Sequence, residues 1–122
     1  MTTFLVWTGV ALIGGIGSVA RFLADRWVTR RVARPFPVGT LAVNVSGAAL
    51  LGFLGGLALS KDAALLTGTA FVGAYTTFST WMLETQRLGE ERRTWAAAAN
   101  VVVSVVLGVA AALLGQWLAE QL

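Results

Sequence analysis

A short polar segment interrupts an otherwise apolar stretch in the second half of the chain. Residues 73–81 read Gly-Ala-Tyr-Thr-Thr-Phe-Ser-Thr-Trp. The glycine and the Ser and Thr residues offer backbone and side-chain oxygens where a membrane helix is expected to run without interruption. In a bilayer, irregular backbone is tolerated only where it is buried in protein or lines a polar cavity. This segment is therefore the first candidate for a functional site.

Further polar side chains lie inside the apolar stretches at helical spacing. Thr40 and Asn44 are four residues apart, as are Asn100 and Ser104, so each pair lies on one helical face. These pairs and the polar segment could together form a hydrated track. The alternative is that Ser and Thr hydroxyls bond to carbonyls of their own helix, which is common in membranes. The amide of Asn44 cannot be satisfied in that way, so Asn44 favours the track.

Two charged residues stand at the ends of apolar stretches. Arg21 follows the glycine-rich run 14–20, and two roles stay open for it: it snorkels to the lipid headgroups, or it lines a vestibule and attracts anions. Glu84 comes four residues after Thr80. It either bonds to a neighbouring helix or marks the water boundary, and we favour such a structural role because a carboxylate does not attract an anion.

The composition is that of a membrane protein and excludes several function classes. Of the 122 residues, 57% are hydrophobic and 12% are charged, against roughly a quarter charged in a soluble domain. The chain has no cysteine and no histidine, which argues against disulfides, zinc sites and histidine-based catalysis. The acidic residues are too few and too peripheral to form a catalytic pair, so we expect no enzyme. The net charge of +3 comes from short connections between apolar stretches, so we expect no nucleic acid partner.

Four apolar stretches are each long enough to cross a bilayer as a helix, which takes roughly 20 residues. The predicted spans cover about residues 4–23, 38–59, 63–83 and 95–118. We therefore predict an all-α membrane protein, with one domain over residues 1–122 and a third helix broken near its middle. Small residues four apart, such as Gly52 and Gly56, predict close helix packing.

The basic residues are placed unevenly between the predicted spans. Lys61 stands on the same side as the amino terminus. Seven arginines lie in the two connections on the opposite side: Arg26, Arg30, Arg31, Arg34, Arg87, Arg92 and Arg93. By the positive-inside rule, this bias predicts both termini outside, the arginine-rich connections in the cytoplasm and one fixed orientation.

Three motifs, taken in order, resemble the CrcB (Fluc) family of fluoride channels. They are Gly-Gly-Ile-Gly-Ser-Val-Ala-Arg-Phe at 14–22, Gly-Thr-Leu-Ala-Val-Asn-Val-Ser-Gly at 39–47, and the polar segment 73–81 followed by Glu84. Each motif alone is a weak signal, but the ordered set is specific. The resemblance covers essentially the whole chain, including its length and its four-span layout.

The resemblance implies a channel in the cell membrane that exports cytoplasmic fluoride passively, as an antiparallel dual-topology dimer with two narrow pores. It implies a structural sodium ion (Na⁺) at the dimer centre, held by the backbone carbonyls of Gly73 and Thr76. It gives Glu84 a counterpart among the family's glutamates. The pore residues that it implies are Asn44, Phe78, Ser79, Thr80, Trp81, Asn100 and Ser104.

The residue types suit that chemistry. Fluoride is small and strongly hydrated, so it leaves water only where positive partial charges replace its shell. The edge of an aromatic ring such as Phe78 carries positive partial charge, and the Asn44 amide is a true donor. The hydroxyls of Ser79, Thr80 and Ser104 can rotate to donate as well.

Two residues depart from the family pattern, and the partner stays open. Most members have phenylalanine at the position of Trp81, and Gly108 adds no hydroxyl to the track of the fourth span. The indole of Trp81 offers a positive edge and an N–H donor, but its bulk could equally plug a narrow pore. A chain with dual topology also needs a nearly even distribution of basic residues on the two sides of the membrane, and the seven arginines on one side do not fit that need. The partner is therefore a second copy of the chain or an oppositely oriented paralogue.

Two other functions stay open at this point. The chain could be a non-conducting or single-pore structural subunit of a heterodimeric fluoride channel. It could, less favourably, be a small multidrug-type proton-coupled exporter. Such an exporter needs an ionisable carboxylate inside the membrane, and the first predicted span has none while Glu84 sits at a helix end.

Overall fold

The structure, a computed structural model, describes residues 3–122, and the regular elements in that range are all helices, joined by short connections. Helix α1 covers Thr3–Arg31, α2 covers Val38–Gly56 and α6 covers Thr94–Glu120. All three are long and apolar enough to cross a membrane. The prediction of an all-α protein is confirmed, and three of the four predicted spans coincide with helices that are long and apolar enough to cross a membrane.

The third apolar stretch folds as a series of short segments. α3 (Lys61–Ala64) continues into a π-helical segment, Leu65–Val72, and then into α4, Gly73–Tyr75. Thr76 follows in extended conformation, with φ −86° and ψ 163°. Helix α5 then covers Ser79–Glu90. π-Helical turns are rare and occur frequently at functional sites.

Helix α1 continues well beyond the predicted span, which ends at residue 23. The segment 24–31 contains no glycine or proline, so nothing in it stops the helix, and α1 ends shortly before Pro35. Because this end of the helix carries charged residues, α1 reaches out of the apolar region. The predicted span therefore corresponds to the apolar part of α1, and the observed helix is longer.

Helices α2 and α6 pack closely at two glycines. A Cβ atom on Gly52 would overlap the carbonyl of Ala112, and one on Gly115 would overlap the carbonyl of Ala49. The two backbones can therefore approach more closely than side chains would permit, as is common between membrane helices. This contact fixes α6 beside α2 and so places Ser104 near Asn44.

The interior is small and the outer surface is apolar. Val43 and Leu88 are 1% exposed, whereas Ile16 and Val106 are 61% and 60% exposed. A soluble monomer rarely exposes contiguous apolar surface on this scale. The distribution suits a protein surrounded by lipid or covered by a partner chain.

Candidate functional site

Asn44 holds the interruption of the third stretch. Its Nδ2 donates to the Thr77 carbonyl at 2.8 Å, and its Oδ1 accepts from the Thr77 amide at 2.8 Å. One side chain on α2 thus satisfies both backbone groups of a residue that lies outside regular helix. Unsatisfied backbone groups are costly away from water, so this pair stabilises the interruption.

The interruption frees two backbone carbonyls. In a continuous helix, the amide of Thr77 would bond to Gly73 and the amide of Thr80 would bond to Thr76. Here the Thr77 amide donates to Asn44, and the Thr80 amide donates to the Thr77 hydroxyl at 3.2 Å. The carbonyls of Gly73 and Thr76 therefore lose their usual helical donors. These are the two carbonyls that the resemblance implies for sodium.

Thr77 lies two residues before helix α5 and bonds to its first turn, although sequence reasoning did not single it out. Its hydroxyl accepts from the Thr80 amide and donates to the Thr80 hydroxyl at 3.1 Å. This is the bond that a threonine N-cap makes. A threonine three residues before another hydroxyl residue, at the point where a helix restarts, was the available signal. The bond leaves the hydroxyl hydrogen of Thr80 free to donate.

The extended residue Thr76 lies directly against α2. A Cβ atom on Gly47 would overlap the Thr76 side chain, so only glycine permits this approach. Both the amide and the hydroxyl of Thr76 donate to the Val72 carbonyl at 2.9 Å. The side chain of Thr76 is therefore committed to its own segment, and only its carbonyl stays available.

A groove of about 300 Å³ runs beside the interruption. Its lining includes Asn44, Phe78, Trp81 and Ser104. The rings of Phe78 and Trp81 meet edge to face, with centroids 5.8 Å apart and planes at 85°. The Ser104 hydroxyl is buried and has no hydrogen-bond partner within residues 3–122. The groove therefore combines aromatic walls with an unused hydroxyl.

Trp81 and Asn100 join α5 to α6. The indole N–H donates to the Asn100 carbonyl at 3.1 Å, and the Asn100 amide donates to the Thr85 hydroxyl at 2.8 Å. Thr85 in turn donates to the Trp81 carbonyl at 2.9 Å. Asn100 is 1% exposed and is not among the residues that line the groove. The indole N–H of Trp81, which was considered as a donor to fluoride, is thus bonded within the protein. Only the ring edge of Trp81 is left for contact with an anion.

Phe78 and Ser79 lie on the outer surface of the single chain. The Phe78 ring is 70% exposed, and Ser79 is exposed as well. Phe78 also lines the groove, whereas Ser79 is not among the residues that line it. A large aromatic side chain so exposed beside polar backbone is typical of a surface that another protein covers.

A second cavity, of about 210 Å³, lies on the other side of the Asn44–Thr77 pair. It is lined by Arg21, Asp25, Thr40, Thr77 and Thr80 among others. Arg21 forms no ion pair within the described part of the chain. Because Thr77 lines this cavity and Asn44 lines the groove, their hydrogen-bonded pair stands between the two.

Glu84 makes a contact between helices. Its Oε1 accepts a hydrogen bond from the hydroxyl of Thr40, which is 3% exposed. This bond ties α5 to the start of α2 next to the second cavity. It is the kind of bond to a neighbouring helix that the sequence favours for Glu84.

A cation at this site would depend on backbone oxygens. Among residues 3–122, no three acidic side chains come together in a way that could hold a metal ion. Gly73 and Thr76 are among the residues that line a surface depression of about 320 Å³. Hard cations prefer oxygen ligands, and carbonyl oxygens are among them.

Comparison with known proteins identifies related chains. The family described as "CrcB-like protein, Camphor Resistance (CrcB)" matches residues 8–116. The chain is 77% identical over 120 residues to "Fluoride-specific ion channel FluC 2" of Mycolicibacterium paratuberculosis, which covers 98% of both chains. It is 75% identical over 118 residues to the protein of that name from Mycobacterium tuberculosis, covering 97% and 94%. "Fluoride-specific ion channel FluC" of Syntrophotalea carbinolica is 45% identical, covering 93% and 96%.

Proposed function

Because this chain belongs to the CrcB family, we propose that it is a fluoride-selective channel through which cytoplasmic fluoride leaves passively, down its gradient. Its relatives are named fluoride-specific ion channels. The observation that carries the proposal is the Asn44–Thr77 pair, which holds the third stretch open beside a groove with an unpartnered hydroxyl. An ordinary structural bundle has no need of that arrangement.

The groove offers fluoride several groups with partial positive charge, and none of them is a charged side chain. Asn44 Nδ2 carries two hydrogens, of which one is bonded to Thr77, so the other can donate. The Ser104 hydroxyl can donate, and the edges of Phe78 and Trp81 are electropositive. Such a lining replaces part of the hydration shell of a compact anion. A narrow lining also disfavours larger halides, which lose less by staying hydrated.

The second cavity suits an entrance for anions. The Arg21 guanidinium lines it without an ion-pair partner in the described chain, so its charge can attract an anion from water. The Thr80 hydroxyl, which keeps its hydrogen, lies at the same cavity. Asp25 shares the cavity and moderates the positive potential. An anion that leaves this cavity meets the Asn44–Thr77 pair next.

The proposed sodium ion would be held by the carbonyls of Gly73 and Thr76. These oxygens fit because the amides that normally bond to them are diverted to Asn44 and Thr77. Two carbonyls are too few for a cation, so a partner chain would have to supply its own. The ion would add a fixed positive charge and tie two interrupted stretches together.

The exposed groove side supports a dimer. Phe78 and the depression at Gly73 both lie on the surface of the single chain, and an antiparallel partner would cover them. The arginine bias favours an oppositely oriented paralogue as that partner over a second copy. Purification from a host without any paralogue separates the two: a stable dimer that conducts fluoride removes the need for a paralogue.

A non-conducting or single-pore subunit is the second candidate. It is favoured by Trp81, whose bulky side chain lines the groove and whose N–H is fixed by Asn100. A proton-coupled exporter has no comparable support, because the first predicted span contains no carboxylate and Glu84 is bonded to Thr40. We therefore carry only the subunit as an alternative.

Growth in fluoride tests the proposal and separates the two candidates. In a host that lacks its own fluoride exporter, expression of this chain should restore growth in fluoride-containing medium. Phe78→Ala should abolish the rescue, because it removes a ring edge from the groove. Leu83→Ala is the matched control, since Leu83 lies on helix α5, which directly follows Phe78, and is 66% exposed. Undiminished rescue by Phe78→Ala, with a partner present, would favour the structural subunit.

A further inference from the structure

One face of α1 forms a continuous stripe that is apolar along most of its length and basic at its end. Its positions alternate by four and three residues, which keeps them on one helical face. They are Leu12, Ile16, Val19, Leu23, Arg26 and Arg30, called here the α1 stripe. Every member is exposed, with the four apolar side chains between 58% and 65%. The stripe is thus unpartnered in the single chain.

The apolar half of the stripe borders a groove. The groove is lined by Leu12, Gly15, Ile16, Val19, Ala20 and Leu23 and has a volume of about 590 Å³. Gly15 has no atom within 4 Å of the place where a Cβ would lie, so the groove is open there. A shallow apolar groove along a membrane helix matches the shape and chemistry of an acyl chain.

The basic half of the stripe stands where the apolar region ends. The guanidinium of Arg26 lies 5.9 Å from the centre of the Phe22 ring, and that of Arg31 lies 4.9 Å from the centre of the Trp27 ring. Cation–π contacts of this kind orient a guanidinium. Trp27 is 59% exposed, and exposed tryptophan favours the headgroup level of a bilayer. Of the two stripe arginines, Arg26 is therefore oriented by an aromatic ring, at the end of the helix where Trp27 favours the headgroup level.

The positive charge at this end of α1 is poorly neutralised. Asp25 is the one acidic residue of α1, and its carboxylate accepts from the Thr29 hydroxyl at 3.2 Å. The other arginine-rich connection differs, because it carries two glutamates. There the Arg93 side chain lies 3.9 Å from the Glu91 carboxylate. The excess of positive charge is thus concentrated beside the α1 stripe.

We propose that the α1 stripe binds one anionic phospholipid, with its phosphate between Arg26 and Arg30 and an acyl chain in the apolar groove. Planar guanidinium groups match the oxygens of a phosphate in geometry and charge. The cytoplasmic leaflet, where the positive-inside rule puts this end of α1, is the anionic one. Both ends of the stripe are complementary to the same molecule, which distinguishes a lipid site from a diffuse basic surface.

Native mass spectrometry of the purified full-length chain tests the site, with phosphatidylglycerol and phosphatidylcholine as probes. Phosphatidylglycerol should bind the wild type more tightly than phosphatidylcholine. Arg26→Gln/Arg30→Gln should weaken phosphatidylglycerol binding by about 25-fold, since each arginine near a membrane surface contributes about fivefold. Arg26→Lys/Arg30→Lys keeps the charge but loses the planar guanidinium geometry, so its affinity should lie between those of the wild type and the glutamine variant. Millimolar inorganic phosphate should not displace the lipid, because it lacks the acyl chain.

The matched control is Arg92→Gln/Arg93→Gln, which removes the same charge from the connection that carries the glutamates. Equal weakening by the two double variants would overturn the proposal and indicate diffuse attraction. Equal affinity of the wild type for the two lipids would also overturn the proposal. So would a loss of dimer in Arg26→Gln/Arg30→Gln at unchanged lipid affinity, because that result would place the stripe against a second chain. The measurement needs only a membrane-embedded chain and no fluoride, so its failure leaves the proposed channel function untouched.

Discussion

Replacing Asn44 probes the structure at the point where its fold and its proposed function meet. Asn44→Ala removes both hydrogen bonds to Thr77, each 2.8 Å long. Asn44→Leu removes them too but puts a larger branched apolar side chain in place of the amide, so it separates the loss of the hydrogen bonds from the cavity that Asn44→Ala leaves. In both variants the amide and carbonyl of Thr77 lose the partners that hold them outside helix.

The expected cost follows from those two bonds. Hydrogen bonds between membrane helices average about 0.6 kcal/mol each, which gives a lower bound of about 1 kcal/mol for the pair. A buried backbone group left without a partner costs up to about 3 kcal/mol, which gives an upper bound of about 6 kcal/mol. The groove and the second cavity bring water near Thr77, so we expect a loss of about 2 to 3 kcal/mol, within those bounds.

The free energy of unfolding in mixed detergent and SDS micelles, followed by circular dichroism, measures this cost. Ser46→Ala is the matched control, because Ser46 lies on α2 two residues away and its hydroxyl bonds to Val43 and Tyr75 at an exposed position. It should cost less than about 1 kcal/mol. Fluoride efflux should fall for both Asn44 variants and stay unchanged for Ser46→Ala. An Asn44→Leu protein with the stability and efflux of the wild type would refute the assigned role of the pair.

Three further predictions concern the helix contacts and the groove. Gly52→Val should prevent stable packing of α2 against α6, because the valine side chain would overlap the Ala112 carbonyl. Gly108→Ala should be tolerated, because the space around Gly108 is open. Thermal unfolding in detergent compares the two variants. Ser104→Ala should lower fluoride efflux and leave the unfolding free energy within about 0.5 kcal/mol, since the hydroxyl has no partner to lose. Trp81→Phe should lower stability by about 1 kcal/mol through the lost bond to α6, yet keep fluoride efflux because a ring edge remains; abolished efflux in a folded protein would contradict this.

The helical fold could be predicted because its signals are local. Long apolar runs, short charged connections and glycines four apart indicate membrane helices without any knowledge of tertiary structure. The end of α1 was not predicted, because hydropathy marks where the apolar region stops and not where the helix stops. Arg31 continues the helix simply because no residue in 24–31 breaks it. The π-helical segment 65–72 likewise has no distinctive pattern in the sequence.

The candidate site could be predicted by residue type but not by partner. Asn44 was recognisable as an amide in need of a distant partner, yet only the fold shows that Thr77 supplies it. Thr77 itself was overlooked, because its spacing to the hydroxyl residue three positions later does not stand out in a segment with several hydroxyl residues. The indole N–H of Trp81 was considered for fluoride, whereas the packing of α5 on α6 directs it to Asn100. Such hydrogen bonds depend on contacts between helices, which spacing along one chain does not encode.

Anion efflux from sealed vesicles containing the purified assembly tests the central claim most directly. Two sets of vesicles with the same protein density are prepared, one loaded with potassium fluoride and one with potassium chloride. Each is diluted into buffer that contains neither fluoride nor chloride, and a potassium ionophore lets potassium leave with the anion. A fluoride channel predicts rapid fluoride release, with chloride release no faster than from protein-free vesicles. Equal release of both anions, or no fluoride release from a folded assembly with its partner present, would contradict the account.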